Sequence, residues 1–276
     1  MTQNFHCGRF VLNAERPLIM GIVNLTDDSF SGDGLHGDTA AAIALGMRLI
    51  EEGAQILDLG AESTRPGAPP VAAQQEIDRL LPVIEGLHGC AVALSVDTFK
   101  PEVMRAALAA GADMINDINA LRAPGALEIV AAGSAAVCLM HMQGTPGTMQ
   151  VDPHYSDIVG EVASFLGERV AAAEAAGIAL NRIAVDPGFG FGKTLAHNIA
   201  LLRHLEELLV PGLPLLVGMS RKSMLGLLTG RPAMERVHAG VAAHVLAVLS
   251  GARIVRVHDV AATRDALAVL QAVEDY

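Results

Sequence analysis

Residues 39–60 read TAAAIALGMRLIEEGAQILDLG. Two periods meet in this stretch. Residues 39–54 repeat apolar side chains at helical spacing, with Asp38 in front as an N-cap and Gly53 near the end as a stop. QILDLG (55–60) is then a short, nearly unbroken apolar run, as expected of a strand covered on both faces. A helix feeding directly into such a strand is half of a βαβ unit.

The unit recurs on both sides. PLIMGIVN (17–24) precedes it, and VALSVD (92–97), DMIND (113–117), AVCLMH (136–141), IAVD (183–186), LLVGMS (215–220) and RIVRVH (253–258) follow. Helical patterns at 73–87, 101–111, 125–133, 157–177, 197–209, 234–250 and 260–274 separate them. Eight strands alternating with eight helices make a single (β/α)8 TIM barrel over residues 1–276. A doubly wound open sheet would carry a glycine fingerprint after its first strand, and none stands there. Residues 1–16 are expected to form a short β element closing the barrel bottom.

Composition agrees. Half the residues are hydrophobic (51%), mostly aliphatic, with no Trp and two Tyr. The net charge of -11 is dispersed, without a basic stripe, which argues against nucleic acid. Cys7, Cys90 and Cys138 are isolated, so neither a disulfide framework nor a structural zinc site is indicated. No apolar run reaches the roughly 18 residues of a membrane span. The N-terminal MTQNFHCGRFVLN lacks the apolar core of a signal peptide, and a reducing cytoplasm is the expected setting.

Polar residues gather where the strands end. Asn24, Asp97, Asn116, Asp117, His141 and Asp186 close their runs; Glu62, Ser63, Thr64 and Arg65 follow the second; Ser220, Arg221, Lys222 and Ser223 follow the seventh; Arg256 and His258 lie on the eighth. Any one alone reads more naturally as a turn residue, a cap or a packed core group. Their recurrence at every strand is different, because a barrel brings all these ends to one face, where its active site lies. Buried carboxylates there need a ligand, metal or cation to satisfy them. Asp97, Asn116 and Asp186 suit a flat heterocycle with several N–H donors on one edge. Arg65, Arg256 and His258 suit an anion such as phosphate or diphosphate. SRKSMLGLL (220–228) reads as the start of a helix facing the same site.

DPGFGFGKT (186–194) resembles a phosphate loop with Pro187 in place of its first glycine. Proline has no N–H to offer a phosphate. The glycines instead bring backbone close to a flat ligand and place Phe191 beside it, while Lys193 has no assigned role.

In order along the chain, GIVNLTDDSFS, ESTRPGA, SVDTFKPEV, NDI, LMHMQGTP, DPGFGFGK, GMSRKSMLG and RVHDV resemble the motifs of the dihydropteroate synthases. The resemblance implies condensation of 7,8-dihydropterin-6-ylmethyl diphosphate with 4-aminobenzoate. It also implies Mg²⁺ on Asn24, a homodimer, and a pterin site of Asp97, Asn116, Asp186, Lys222 and Arg256. Asn24, Thr64, Arg65, Arg256 and His258 would hold the diphosphate, and Phe30, Thr64, Pro66, Phe191 and Ser223 the aminobenzoate. Arg65, Lys222, Arg256 and His258 would carry the catalysis. Asp27 stands where the family has a proline. The alternative, a methyltetrahydrofolate-binding methyltransferase of similar fold, would use the same pterin set but has no need of STRPG or of the Arg256–His258 anion site.

Overall fold

The computed structural model describes residues 4–26, 38–63 and 68–275. A hairpin of β1 (Asn4–Cys7) and β2 (Phe10–Asn13) opens the chain. Eight parallel strands follow: β3 (Leu18–Asn24), β4 (Ile56–Gly60), β5 (Ala93–Asp97), β6 (Met114–Asp117), β7 (Ala136–Met140), β8 (Ile183–Asp186), β9 (Leu216–Val217) and β10 (Ile254–Val257). They pair in the order β8-β7-β6-β5-β4-β3-β10-β9, and a bridge between Val185 and Leu215 joins the two ends into a barrel.

Around it lie α1 (Thr39–Glu52), α2 (Ala73–Leu87), α3 (Pro101–Ala109), α4 (Ala126–Ala131), α5 (Ile158–Ala175), α6 (Leu195–Arg203), α7 (Ser223–Thr229), α8 (Val237–Leu249) and α9 (Val260–Glu274). The stretch that set the fold behaves as its residues dictate. The Asp38 carboxylate accepts the Ala41 N–H at 3.0 Å, and Gly53 ends α1 at a left-handed φ of 114°. The expected helix over 197–209 is α6 followed by a 3-10 turn (Leu205–Leu208), with the break at His204.

Side chains alternate across each strand, so every second one enters the barrel. The outward rows, among them Ile19, Leu57, Leu94, Ile115, Val137 and Val185, belong to the main core with the helices. The inward rows start with Met20, Ile56, Ala93, Met114, Ala136, Ala184, Leu216 and Ile254, which join Phe5, Cys7 and Ala14 of the N-terminal segment. The hairpin thus plugs the bottom, as expected. It is pinned by Asp113, whose Oδ1 accepts Arg9 N–H at 3.0 Å and Arg9 Nε at 2.9 Å, and whose Oδ2 accepts Arg9 Nη2 at 2.8 Å and Leu94 N–H at 3.0 Å. Gly8 makes this approach possible: its φ is 55°, and a Cβ there would lie 2.6 Å from Asp113 Oδ1.

Replacing Asp113 by Ala strands the buried Leu94 N–H and the Arg9 guanidinium together. It should lower unfolding free energy by about 3 kcal/mol, read from urea denaturation.

Candidate active site

Two residues further along five of the eight strands, the inward rows become polar. Asp58 follows Ile56, Ser95 follows Ala93, Asn116 follows Met114, Asp186 follows Ala184 and Arg256 follows Ile254. Asp58 is the hub. It accepts Ser95 Oγ–H at 2.6 Å, Asn116 Nδ2–H at 3.0 Å and Arg256 Nε–H at 2.5 Å. Arg256 then reaches Asp97 through Nη2 at 2.8 Å. Burial works against the guanidinium charge, yet Asp58 and Asp97 raise its pKa above the ordinary value. Burial likewise pushes the Asp97 carboxyl up, against the pull of Arg256.

Gly60 and Gly218 keep this layer open. A Cβ on Gly60 would come within 3.6 Å of Asp97 and 3.8 Å of Asn24 Oδ1, which places Asn24 beside Asp97. One on Gly218 would meet Arg256 at 3.6 Å and Lys222 Nζ at 3.9 Å. Asp97 of the expected pterin set therefore has a cation partner of its own.

On the opposite side, Asp186 is buried and accepts the Gly188 N–H at 2.7 Å. Burial raises its carboxyl, opposed mainly by Lys222. Lys222 donates to Phe189 O and stands 4.6 Å over the Phe191 ring. Burial pushes Lys222 down to about 8, with Asp186 opposing. The loop after β8 carries three glycines at left-handed φ, Gly188 at 70°, Gly190 at 80° and Gly192 at 61°. Three of its N–H groups are already committed: Gly188 N–H goes to Asp186, Gly190 N–H to Asn198 Oδ1 at 2.8 Å and Phe191 N–H to Gly188 O at 3.1 Å. With Pro187 offering no N–H, these commitments argue against the phosphate-loop reading.

His258 lies beside Ser220, whose Oγ accepts the His258 N–H at 3.2 Å and meets its Nδ1 at 3.0 Å. Arg221, left-handed at φ 58°, bridges to Asp259 at 2.6 Å and so ties the loop carrying Lys222 and Ser223 to the one carrying His258. Ser223 is exposed at the first turn of α7. Phe30, Thr64, Arg65 and Pro66 lie outside the described residues. Before them, Glu62 accepts Val71 N–H at 2.9 Å and Lys100 Nζ at 2.8 Å, so it joins the two sides of the 62–71 segment.

The structure gathers Asn24, Asp97, Asn116, Asp186, Lys222, Arg256 and His258 at one mouth. It adds Asp58 and Ser95, which a search of strand ends passes over. The signal for them was parity: each is polar on the inward row of an apolar strand.

A family model described as pterin binding enzyme matches residues 20–258. Dihydropteroate synthase of Neisseria meningitidis serogroup B is 53% identical over 97% of this chain and 96% of its own, and that of Escherichia coli K12 is 48% identical over 95% and 93%. A Xanthomonas albilineans dihydropteroate synthase solved with 4-aminobenzoic acid superposes with a TM-score of 0.93 at 55% identity, covering all of both chains. A Burkholderia cenocepacia one complexed with 7,8-dihydropteroate gives 0.91 at 52%, over 99% of this chain and 96% of that one. A Yersinia pestis one in a sulfonamide complex gives 0.96 at 47%, over 99% and 100%. The chain belongs to the pterin-binding enzymes. Its place among them is with the dihydropteroate synthases, and it is a transferase.

Asp58→Asn keeps the side-chain shape but removes the charge that holds Arg256. Pterin affinity should fall roughly tenfold or more, since charged hydrogen bonds are worth about 1.5–3 kcal/mol each. Calorimetric titration with 6-hydroxymethyl-7,8-dihydropterin measures it.

Proposed function

We propose that the polar mouth of this barrel transfers the pterinylmethyl group of 7,8-dihydropterin-6-ylmethyl diphosphate to the amine of 4-aminobenzoate. The products are 7,8-dihydropteroate and diphosphate, a step of folate biosynthesis. The observation that carries this is the array formed by buried Asn116 and Asp186 with half-buried Asp97, Lys222 and Arg256, acceptors and donors gathered at one mouth of the barrel. The carboxylates accept the ring N–H groups, the Asn116 amide and Lys222 meet its carbonyl and ring nitrogens, and Arg256 bounds its face.

The bond that breaks joins the methylene carbon to the diphosphate oxygen, and its electron pair leaves with diphosphate. The amine nitrogen of 4-aminobenzoate then bonds to the methylene carbon and loses a proton. Asn24, Thr64, Arg65, Arg256 and His258 hold the leaving anion. The charge growing there is what a fixed cationic site stabilises. The Ser220 hydroxyl accepts the His258 backbone N–H and can donate to Nδ1, which puts the ring proton on Nε2 as a donor for that anion. The electron-rich ring spreads the positive charge left on the methylene, and the carboxylates beside it favour that state. Displacement is accordingly dissociative and needs no protein nucleophile. Phe30, Thr64, Pro66, Phe191 and Ser223 frame the aminobenzoate.

Asn24 fits a magnesium ligand by its chemistry, an amide oxygen on the strand end beside Asp97. Mg²⁺ commonly keeps waters and substrate phosphates as its other ligands, so one or two protein oxygens suffice. When bound it supplies charge neutralisation at the leaving oxygens. The substrates are small molecules, and nothing in the charge pattern suits nucleic acid. No described helix is long and apolar enough to cross a membrane, in keeping with a cytoplasmic enzyme. Leu246 and Leu249 on α8 and Val269 and Val273 on α9 are each more than half exposed, which supports a homodimer through this face.

The reaction is tested with the diphosphate substrate, Mg²⁺ and 4-aminobenzoate, following diphosphate release. Release should match dihydropteroate one to one and stop with EDTA; no aminobenzoate-dependent release would overturn it. Arg65→Ala should impair turnover far more than the binding of a free pterin. Asp186→Asn should weaken pterin binding roughly ten- to a thousandfold, read by calorimetry.

A further inference from the structure

Lys193 is a buried cation that the reaction above does not use. It is 3% exposed, among the most enclosed charged side chains of the chain. Its Nζ lies 2.9 Å from Gly188 O, 2.9 Å from Phe191 O and 2.9 Å from His141 Nδ1. His141 is also buried, at the end of β7, where its own N–H donates to Asp186 O at 2.9 Å. The ring packs edge-on against Phe165 at 4.9 Å.

Lys193 Nζ and His141 Nδ1 keep hydrogen-bond partners in either charge state of the lysine. An ammonium donates to both carbonyls and to a neutral His141 protonated on Nε2. A neutral amine donates to the same carbonyls, and its lone pair accepts from His141 protonated on Nδ1. Burial pushes Lys193 down to about 7 and His141 down to about 3, so the imidazole stays neutral while the lysine titrates. The clip keeps its geometry through that change.

What the clip holds is the backbone that positions Lys222. Lys193 gathers the carbonyls of Gly188 and Phe191, which bracket Phe189 and Gly190, and Phe189 O is the acceptor of Lys222 Nζ. The remaining carbonyls of the loop are tied from elsewhere: Gly190 O takes Gln150 Nε2–H at 2.7 Å, and Gly192 O takes Tyr155 O–H at 2.8 Å. Lys193 alone holds two, and one of them, Gly188 O, is next to the Lys222 contact. It also fixes Gly188, whose N–H meets Asp186.

We propose that Lys193, clipped to His141, is a positioning residue for pterin binding that acts through the Gly188–Gly192 loop on Lys222 and Asp186. The inference rests on the reaction proposed above.

Lys193→Met removes the donors at nearly constant length. In the purified enzyme, Kd for 6-hydroxymethyl-7,8-dihydropterin and KM for the pterin diphosphate should rise roughly tenfold or more, while KM for 4-aminobenzoate stays within about twofold. In a Lys222→Met background the same change should add less than about twofold, because both act on one element. Losses that add independently, or an unchanged pterin Kd alongside a lowered unfolding midpoint, would make Lys193 a stabilising residue only and overturn the proposal. If Lys193→Met does not fold, His141→Leu removes one of the three acceptors and should show the same split at about threefold; an unchanged pterin Kd there is equally fatal. A wild-type enzyme that fails to condense the substrates would instead refute the reaction itself.

Discussion

The Arg256 guanidinium held between Asp58 and Asp97 is the constraint on which the site depends. Charges inside a barrel lose hydration worth several kcal/mol each, and only close, hydrogen-bonded partners offset that loss. Arg256 has two carboxylates, and Asp58 has three donors. Asp58, Ser95, Asp97, Asn116 and Arg256 thus hold one another. Asn116 is oriented by Asp58, and the Asp58–Arg256 pair reaches from β4 to β10 with β3 between them in the sheet. A ligand meets groups already fixed, so little ordering remains to be done on binding.

The other half of the mouth is built differently. There the polar groups belong to backbone, and side chains from several elements fix it: Lys222, Lys193, Gln150 and Tyr155 each take carbonyls of the loop after β8. Left-handed glycines allow the turns, and Pro187 keeps a donor out of the start. A closed side-chain network and a stitched loop face each other across the space for one flat ring. Both are held by hydrogen bonds, which suits a reaction in which the protein supplies position and charge rather than a nucleophile.

Much of this was legible residue by residue. The apolar runs give all eight barrel strands, Asp38 and Gly53 bound the first helix as their chemistry predicts, and the polar strand ends name Asp97, Asn116 and Asp186. Asp58 was not found that way, because it sits two residues before the end of QILDLG and looks like one polar interruption in a core strand. Ser95 is hidden in the same manner. Lys193 could be placed near the site but given no role, because its three acceptors come from two strand-end loops and none is implied by neighbouring residues.

The sequence by itself determined the alternation of strand and helix, the face to which the polar ends go, and the family. Those follow from local periodicity and from motifs that survive as short words. The tertiary structure alone decided which polar groups satisfy one another. Asp58 and Arg256 are 198 residues apart and Lys193 and His141 are 52 apart. The pairing of β7 with β8, and of β3 with both β4 and β10, is what makes them neighbours, and in the low-dielectric interior each buried charge must find its partner across the fold.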